Sequence, residues 1–293
     1  MDKVSSVKQY GIIMPVRNES AFIDTTIQCL IKQTVSPAFL IVVNDGSTDN
    51  TGDIVDRYVK SFDWVHVLHR KDRGYRKNGI GVMEAFYDGF QNIKMNTWEY
   101  ICKLDGDLSF DNDFFEKILE RFELEPGLGI AGGKILNVIG SKRVFEPHPD
   151  FHVRGAVKMY RRSCWETIGG LVKMTGWDTY DEIKAIMEGW TTKTIGSLPV
   201  LHYRPTGNAD GIYRNYFKNG TGSYILGYNP VFLILRAVKS SILEKNFFAG
   251  TGMIWGFFTA KFRKVERIPD PAARKFISRQ QIRLMLRMKS IWK

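Results

Sequence analysis

The sequence predicts an α/β fold built on a mostly parallel sheet flanked by helices, and three observations predict it. Short apolar runs alternate with segments of helical periodicity throughout the first half of the chain. The 293 residues are 44% apolar and 25% charged, enough to bury a large core without disulfide or metal staples. Polar loops rich in Asp, Asn and Gly follow several of the apolar runs directly, as they do at the carboxyl ends of strands in open α/β sheets.

The elements follow in order. Tyr10–Val16 reads as a strand, and residues 20–33 as a helix with Ile23, Ile27, Leu30 and Ile31 on one face. Residues 39–43 form a near-continuous apolar run, the pattern of a strand buried on both faces. A short helix over 51–60 and a strand over 64–68 come next. The helix over 81–93 carries Met83, Phe86, Tyr87 and Phe90 at spacings of three and four. A strand over 98–104, a helix over 113–122 and a strand over 128–131 complete the alternation. Beyond residue 145 the pattern changes to a strand over 153–161, a short helix over 163–168 stopped by Gly169-Gly170, and a helix over 179–187 stopped by Gly189.

Charge divides the chain. Residues 1–229 hold 28 basic and 28 acidic side chains, whereas the last 64 residues hold 14 basic and 3 acidic, so the whole net charge of +11 belongs to the C-terminal segment. Glycine becomes frequent near residues 219–227, which marks a soft boundary there. Cys29, Cys102 and Cys164 each sit in an apolar run at no metal-binding or disulfide spacing, which implies reduced core thiols. The first nine residues carry no apolar signal-peptide core. The uncharged stretches 219–235 and 246–260 fall short of the ~20 apolar residues a spanning helix needs.

Gly127-Leu-Gly129-Ile-Ala-Gly132 matches the dinucleotide pattern G-x-G-x-x-G, but a helix precedes it and an apolar strand runs through it, the reverse of the context that pattern requires. No Walker-type phosphate loop occurs. Three other clusters stand at strand ends: Pro15-Val-Arg17-Asn-Glu19, Asn44-Asp45-Gly-Ser-Thr-Asp49 and Asp105-Gly106-Asp107. They should converge on one crevice outside the sheet. Ser47, Thr48 and Asp49 also read as plain turn and cap residues, whereas Asp45 emerges straight from a buried strand. Asp105 and Asp107 repel each other unless a cation lies between them, and hard oxygen ligands of this kind suit Mg²⁺ or Mn²⁺.

The runs Ile12-Ile-Met-Pro15-Val-Arg17-Asn-Glu19, Val43-Asn-Asp45-Gly-Ser-Thr-Asp49 and Lys103-Leu-Asp105-Gly-Asp107 resemble the inverting family 2 glycosyltransferases of GT-A fold, over about residues 8–205. That resemblance implies a nucleotide site at Pro15, Arg17, Glu19, Asp45 and Asp105, with Asp45 pairing with the base. It implies a divalent metal, Mn²⁺ or Mg²⁺, on Asp107, with His202 touching it. Gly155-Ala156 is similar to the small-residue strand beside the donor sugar. The general base is expected from a Glu-Asp motif, and here the chain departs from the family: it reads Gly176-Trp177-Asp178-Thr-Tyr-Asp181-Glu182, with Trp in place of Glu. Asp178 is preferred as base, with Asp181 and Glu182 as further candidates, although a helix N-terminus attracts acids in any case. The basic loop His69–Lys77 suits either contact with phosphate or plain solvation.

The implied organisation is a GT-A-like catalytic domain over residues 1–218 and a basic amphipathic C-terminal extension over 219–293. In the extension Ile277, Leu284, Met288 and Ile291 fall within an arc of ~60° at helical spacing, beside the row Arg279, Arg283, Arg287. Such a segment suits an anionic membrane surface, or packing on its own catalytic domain. No RNA-recognition or zinc-finger signature supports a nucleic-acid partner. The expected activity is metal-dependent transfer of a sugar from a nucleotide-sugar donor to a lipid-linked or other glycan acceptor, by a cytoplasmic protein peripheral to the inner face of the membrane. The alternatives are a nucleotidyltransferase on a related sheet and a non-catalytic basic protein that binds membrane or nucleic acid.

Overall fold

The computed structural model describes residues 9–75, 79–93, 98–145, 148–204 and 211–292. The first half alternates as predicted: β1 (Tyr10–Val16), α1 (Ile23–Ile31), β2 (Phe39–Asn44), α2 (Thr51–Ser61), β3 (Val65–His69), α3 (Ile80–Gln91) and β4 (Tyr100–Leu104). There follow β5 (Leu108–Phe110), α4 (Phe114–Leu124), β6 (Leu128–Ile139), β7 (Lys142–Phe145), β8 (Val157–Arg161), α5 (Arg162–Ile168), α6 (Trp177–Met187) and β9 (Thr191–His202). One sheet holds all the strands in the order β3-β2-β1-β4-β8-β6-β9-β5, with β7 paired to β6. β3, β2, β1 and β4 run parallel, β8 is antiparallel to both of its neighbours, and β6 and β9 are parallel.

The central strands are apolar on both faces because helices cover both. Ile12, Met14, Leu40, Val42 and Cys102 face α1, α2 and α4. Ile13, Ile41, Val43 and Ile101 face α3 and α5. That double burial is why β2 shows no alternation in sequence. Cys102 and Cys164 are buried free thiols whose pKa burial pushes up to about 12. β5, β7 and β9 are not expected from the residue pattern. β9 carries a Pro and an irregular register against β6, which hide its period. All of the G-x-G-x-x-G run after Gly127 lies within β6. Gly129 and Gly132 are there for close approach: a Cβ would lie 2.5 Å from Cys164 Sγ at the first and 2.4 Å from the Val157 carbonyl oxygen at the second.

Four helices follow: α7 (Ile212–Leu226), α8 (Pro230–Leu243), α9 (Phe247–Phe262) and α10 (Pro271–Met285). Residue 218 lies inside α7. The C-terminal helices are packed onto the body of the protein. Ile225, Leu226, Ile268, Ala273 and Ile277 form one core with Tyr180 and Ile183 of α6. Ile277 belongs to the apolar arc expected at a surface, and here it is buried against α6. Among the described residues, no helix is long and apolar enough to cross a membrane.

Candidate active site

The crevice forms where the chain order across the sheet reverses, between β1 and β4, beyond their carboxyl ends. Two loops are stitched together there. The Asn18 amide donates to Ser47 Oγ at 2.9 Å and the Glu19 amide to Thr51 Oγ1 at 2.8 Å. The Ser20 amide donates to Asp49 Oδ2 at 3.1 Å. Ser47 and Asp49 therefore hold the first loop in place. The Asp45 amide donates to the Val16 carbonyl at 2.8 Å, and Arg17 donates to the Asp45 carbonyl at 2.8 Å, so Pro15, Arg17 and Asp45 share one wall.

The Asp45 carboxylate is buried and clamped by the basic loop. Arg70 reaches Oδ1 at 2.5 Å, and Arg73 spans both oxygens at 2.7 Å each. Arg17 donates to Asp72 at 2.8 Å, and Arg70 also pairs with Asp88. The loop is tied to the crevice through Arg70, Asp72 and Arg73. Lys77 lies outside the described residues.

At the end of β4 the Asp105 amide donates to the Ala156 carbonyl at 2.8 Å. Lys103, only 3% exposed, donates to Asp105 Oδ1 and to the Gly155 carbonyl, the latter at 2.6 Å. It thereby binds the acidic pair to Gly155-Ala156, which form a turn leading into β8 and not the first residues of the strand expected over 153–161. Ligand atoms of Asp105, Asp107 and His202 all lie within 4.8 Å of one another. His202 Nε2 is 3.4 Å from Asp107 Oδ2, and its Nδ1 lies 3.2 Å from Asn137 Oδ1, which fixes the ring. Burial holds the Asp105 carboxyl above its usual range, Lys103 pulls the other way, and the neighbouring Asp107 adds to the rise. Arg204 pairs with Glu19 and lies 3.8 Å from Asp107. The other Glu19 oxygen is buried without a hydrogen-bond partner. Two carboxylates and an oriented imidazole form a donor set that fits Mn²⁺ or Mg²⁺. Gly106 fits because a Cβ there would meet Val16 Cγ1 at 2.7 Å.

The three candidate acids of α6 differ sharply. Asp181 and Glu182 are 1% and 0% exposed. Lys158, also fully buried, lies 3.0 Å from both Asp181 oxygens and 2.8 Å from Glu182 Oε1. Tyr160 donates to Asp181 at 2.5 Å, and Glu182 accepts from the Val153 amide at 2.6 Å and meets His152 at 2.9 Å. Burial pushes Asp181 up to about 6, against the pull of Lys158. Burial opposes the charge on Lys158, but Asp181 and Glu182 outweigh it and hold the ammonium protonated. Asp178 is half-buried and lies beside the Gly155-Ala156 turn: a Cβ on Gly155 would lie 3.4 Å from Asp178 Cβ and 3.0 Å from the Trp177 ring. Trp177 is itself 5.7 Å from both Lys103 and Lys158, packed where the two lysines converge.

Sequence reasoning missed Lys103 and Lys158 as site residues, along with Arg204 and Asn137. A signal for the lysines existed. Each interrupts an otherwise apolar strand, and a lysine in a strand buried on both faces requires carboxylate partners. Arg204 and Asn137 carry no such signal, because their partners lie 185 and 65 positions away in sequence.

Comparisons with known proteins agree with this geometry. The family model described as glycosyl transferase family 2 matches residues 11–179, more than half of the chain. Bacillus subtilis EpsJ, called an uncharacterized glycosyltransferase, is 30% identical over 140 residues, 47% of this chain and 37% of EpsJ; the chain thus spans little more than a third of that relative's length. Among solved structures, S. aureus TarS in complex with UDP-GlcNAc superposes with a TM-score of 0.54 at 14% identity, over 87% of this chain and 73% of that one. The mannosyltransferase PcManGT from Pyrobaculum calidifontis, in complex with GDP-Man and Mn²⁺, superposes with a TM-score of 0.56 at 14% identity, over 94% and 85%. Strand-end acidic clusters on an α/β sheet, the match across the first 179 residues and the shared architecture converge on one assignment: the chain belongs to glycosyl transferase family 2 and has the GT-A fold.

Proposed function

We propose that this glycosyltransferase moves a sugar from a nucleoside-diphosphate donor to a hydroxyl of a saccharide acceptor in a metal-dependent, inverting reaction. The observation that carries the reading is the convergence of Asp105, Asp107 and His202, within 4.8 Å, beside the Gly155-Ala156 turn. Asp107 and His202, with Asp105, would hold Mn²⁺ or Mg²⁺, which when bound offsets the charge that grows on the leaving diphosphate. The nucleotide lies against Pro15, Arg17 and Glu19, and its base meets Asp45, oriented by Arg70 and Arg73. Lys103 keeps Asp105 and the Gly155 carbonyl in fixed relation. The small Gly155-Ala156 surface leaves room for the donor sugar.

Asp178 acts as the general base. The acceptor oxygen attacks the anomeric carbon as the bond from that carbon to the diphosphate oxygen breaks. The hydroxyl proton passes to the Asp178 carboxylate, and a single displacement inverts the configuration. Asp181 and Glu182 are removed from this role by burial and by Lys158, Tyr160 and His152, which occupy their oxygens. Their part is to hold α6, and Asp178 with it, against β8.

The acceptor is a glycan carried at a membrane surface. This is supported by the basic, apolar C-terminal helices packed directly behind α6. Thermal shift with UDP, GDP, dTDP and CDP, each with and without Mn²⁺, tests the donor reading. One nucleotide should stabilise the protein in a Mn²⁺-dependent way. No Mn²⁺-dependent shift with any of the four would overturn it.

A further inference from the structure

α8 and α9 pack as an antiparallel pair. The Gly250 amide, in the first turn of α9, donates to Ser241 Oγ near the end of α8 at 3.0 Å, while the start of α8 and the end of α9 meet at a common cavity. The inner face of α8 is spent on this contact through Leu233 and Ala237. Its outer face is apolar and bare: Val231, Ile234, Leu235, Val238 and Ile242 recur at three, four and seven, and each is 42–70% exposed. α9, packed on α8, exposes Phe247, Phe248, Trp255 and Phe262, 61–83% exposed. Apolar exposure of this extent on two packed helices marks an interaction face.

Beside that face lies a cavity of about 360 Å³. Its lining includes Lys261, Arg267, Arg274 and Lys275, together with Tyr224 and Tyr228, and no carboxylate. Arg267 stacks over Tyr224 at 5.1 Å, which holds one guanidinium in place. Pro230, the first residue of α8, also lines the cavity, so the positive end of that helix adds to the field. Pro230 and Lys261, which line the cavity, adjoin Val231 and Phe262 in the chain, so the cavity lies close to exposed apolar residues of both helices. Exposed Arg236, Lys239, Arg263 and Lys264 also stand on or just beyond α8 and α9.

We infer that this surface seats on an anionic bilayer, with the phosphate of a lipid headgroup in the Lys261–Arg267–Arg274–Lys275 cavity and the apolar residues of α8 and α9 among the acyl chains. Charge complementarity commits the face to anionic lipid: a protein partner would not require four cations gathered in one carboxylate-free cavity beside an aliphatic stripe. α10 supplies Arg274 and Lys275 to the cavity and buries Ile277 against α6. The inference supplies the surface for the membrane-borne acceptor proposed above. Its test needs neither donor nor acceptor, so either reading can fail alone.

The experiment is co-sedimentation of the full chain with phosphatidylglycerol–phosphatidylcholine vesicles and with phosphatidylcholine alone, across a salt series. Anionic vesicles should bind the protein, with a salt-resistant fraction that falls in Trp255→Ser/Phe262→Ser. Lys261→Gln/Lys275→Gln should weaken binding about 25-fold, at roughly fivefold for each cation removed from an anionic surface. Lys32→Gln/Lys60→Gln, which removes the same charge from the carboxyl ends of α1 and α2 at the sheet edge opposite the crevice, should change it less than threefold or so. Unaltered melting temperatures establish that the variants are folded. Equal loss in the two charge pairs, equal binding to neutral vesicles, or saturable binding of glycerol phosphate without vesicle binding would each overturn the inference. The last result would identify a site for a soluble phosphate.

Discussion

Lys158→Met removes the cation shared by Asp181 and Glu182 while keeping about the same volume. In the native protein that ammonium lies within 3.0 Å of both carboxylates and also donates to the Asp178 carbonyl at 2.5 Å. All three charged groups are essentially closed to water. Breaking a buried pair on one side costs about 3–5 kcal/mol, because the remaining charge stays buried without compensation. At about 2–4 °C per kcal/mol for a domain of this size, the melting temperature should fall by on the order of 10 °C at neutral pH. The loss should depend on pH. Asp181 has its folded-state pKa raised from 3.8 to about 6, so its protonation favours the fold: that contribution is full below about pH 4 and is lost as pH rises through about 6. Without Lys158 the Asp181 carboxyl shifts further up, and the deficit of the variant should narrow between pH 7.5 and 5. Asp181→Asn and Glu182→Gln in the same background should recover part of the stability, since no bare charge then remains. Differential scanning calorimetry across that pH range reads all of this. A variant within about 2 °C of wild type at pH 7.5, or a deficit that widens toward acid, would refute the reasoning.

Asp178→Asn should retain donor binding and lose transfer by roughly 10²–10⁴, measured as single-turnover product formation; normal turnover would transfer the role of base to another group. Asp107→Asn should abolish Mn²⁺-dependent binding of nucleoside diphosphate with the fold intact, and an unchanged calorimetric titration would contradict the assignment. Gly256→Ala should destabilise the C-terminal helices by about 1–3 kcal/mol, because its Cβ would fall 2.0 Å from the Phe217 carbonyl oxygen where α9 crosses α7. A urea melt that matches wild type would show that the two helices can separate freely.

The sequence by itself determined the α/β class and the crevice, because both rest on local rules. Buried parallel strands must be apolar throughout, as β2 is, and ligands in such sheets meet the loops at strand ends, where Asp45, Asp105 and Asp107 stand. The charge imbalance of the last 64 residues was equally plain in the composition. What the tertiary structure decided are matters of partnership across long separations. Asp178, Asp181 and Glu182 fall within five residues, and in sequence all three are acids at the start of one helix. Only the placement of β8 against α6 brings Lys158 and Tyr160 onto Asp181, binds Glu182 to Lys158 and His152, and leaves Asp178 beside Gly155. In the same way, helical periodicity cannot say which apolar stripe finds a neighbour. α10 found α6 and buried Ile277 of its stripe, whereas among the described residues the outer face of α8 stays exposed, and desolvation acts only on the surface that another surface covers.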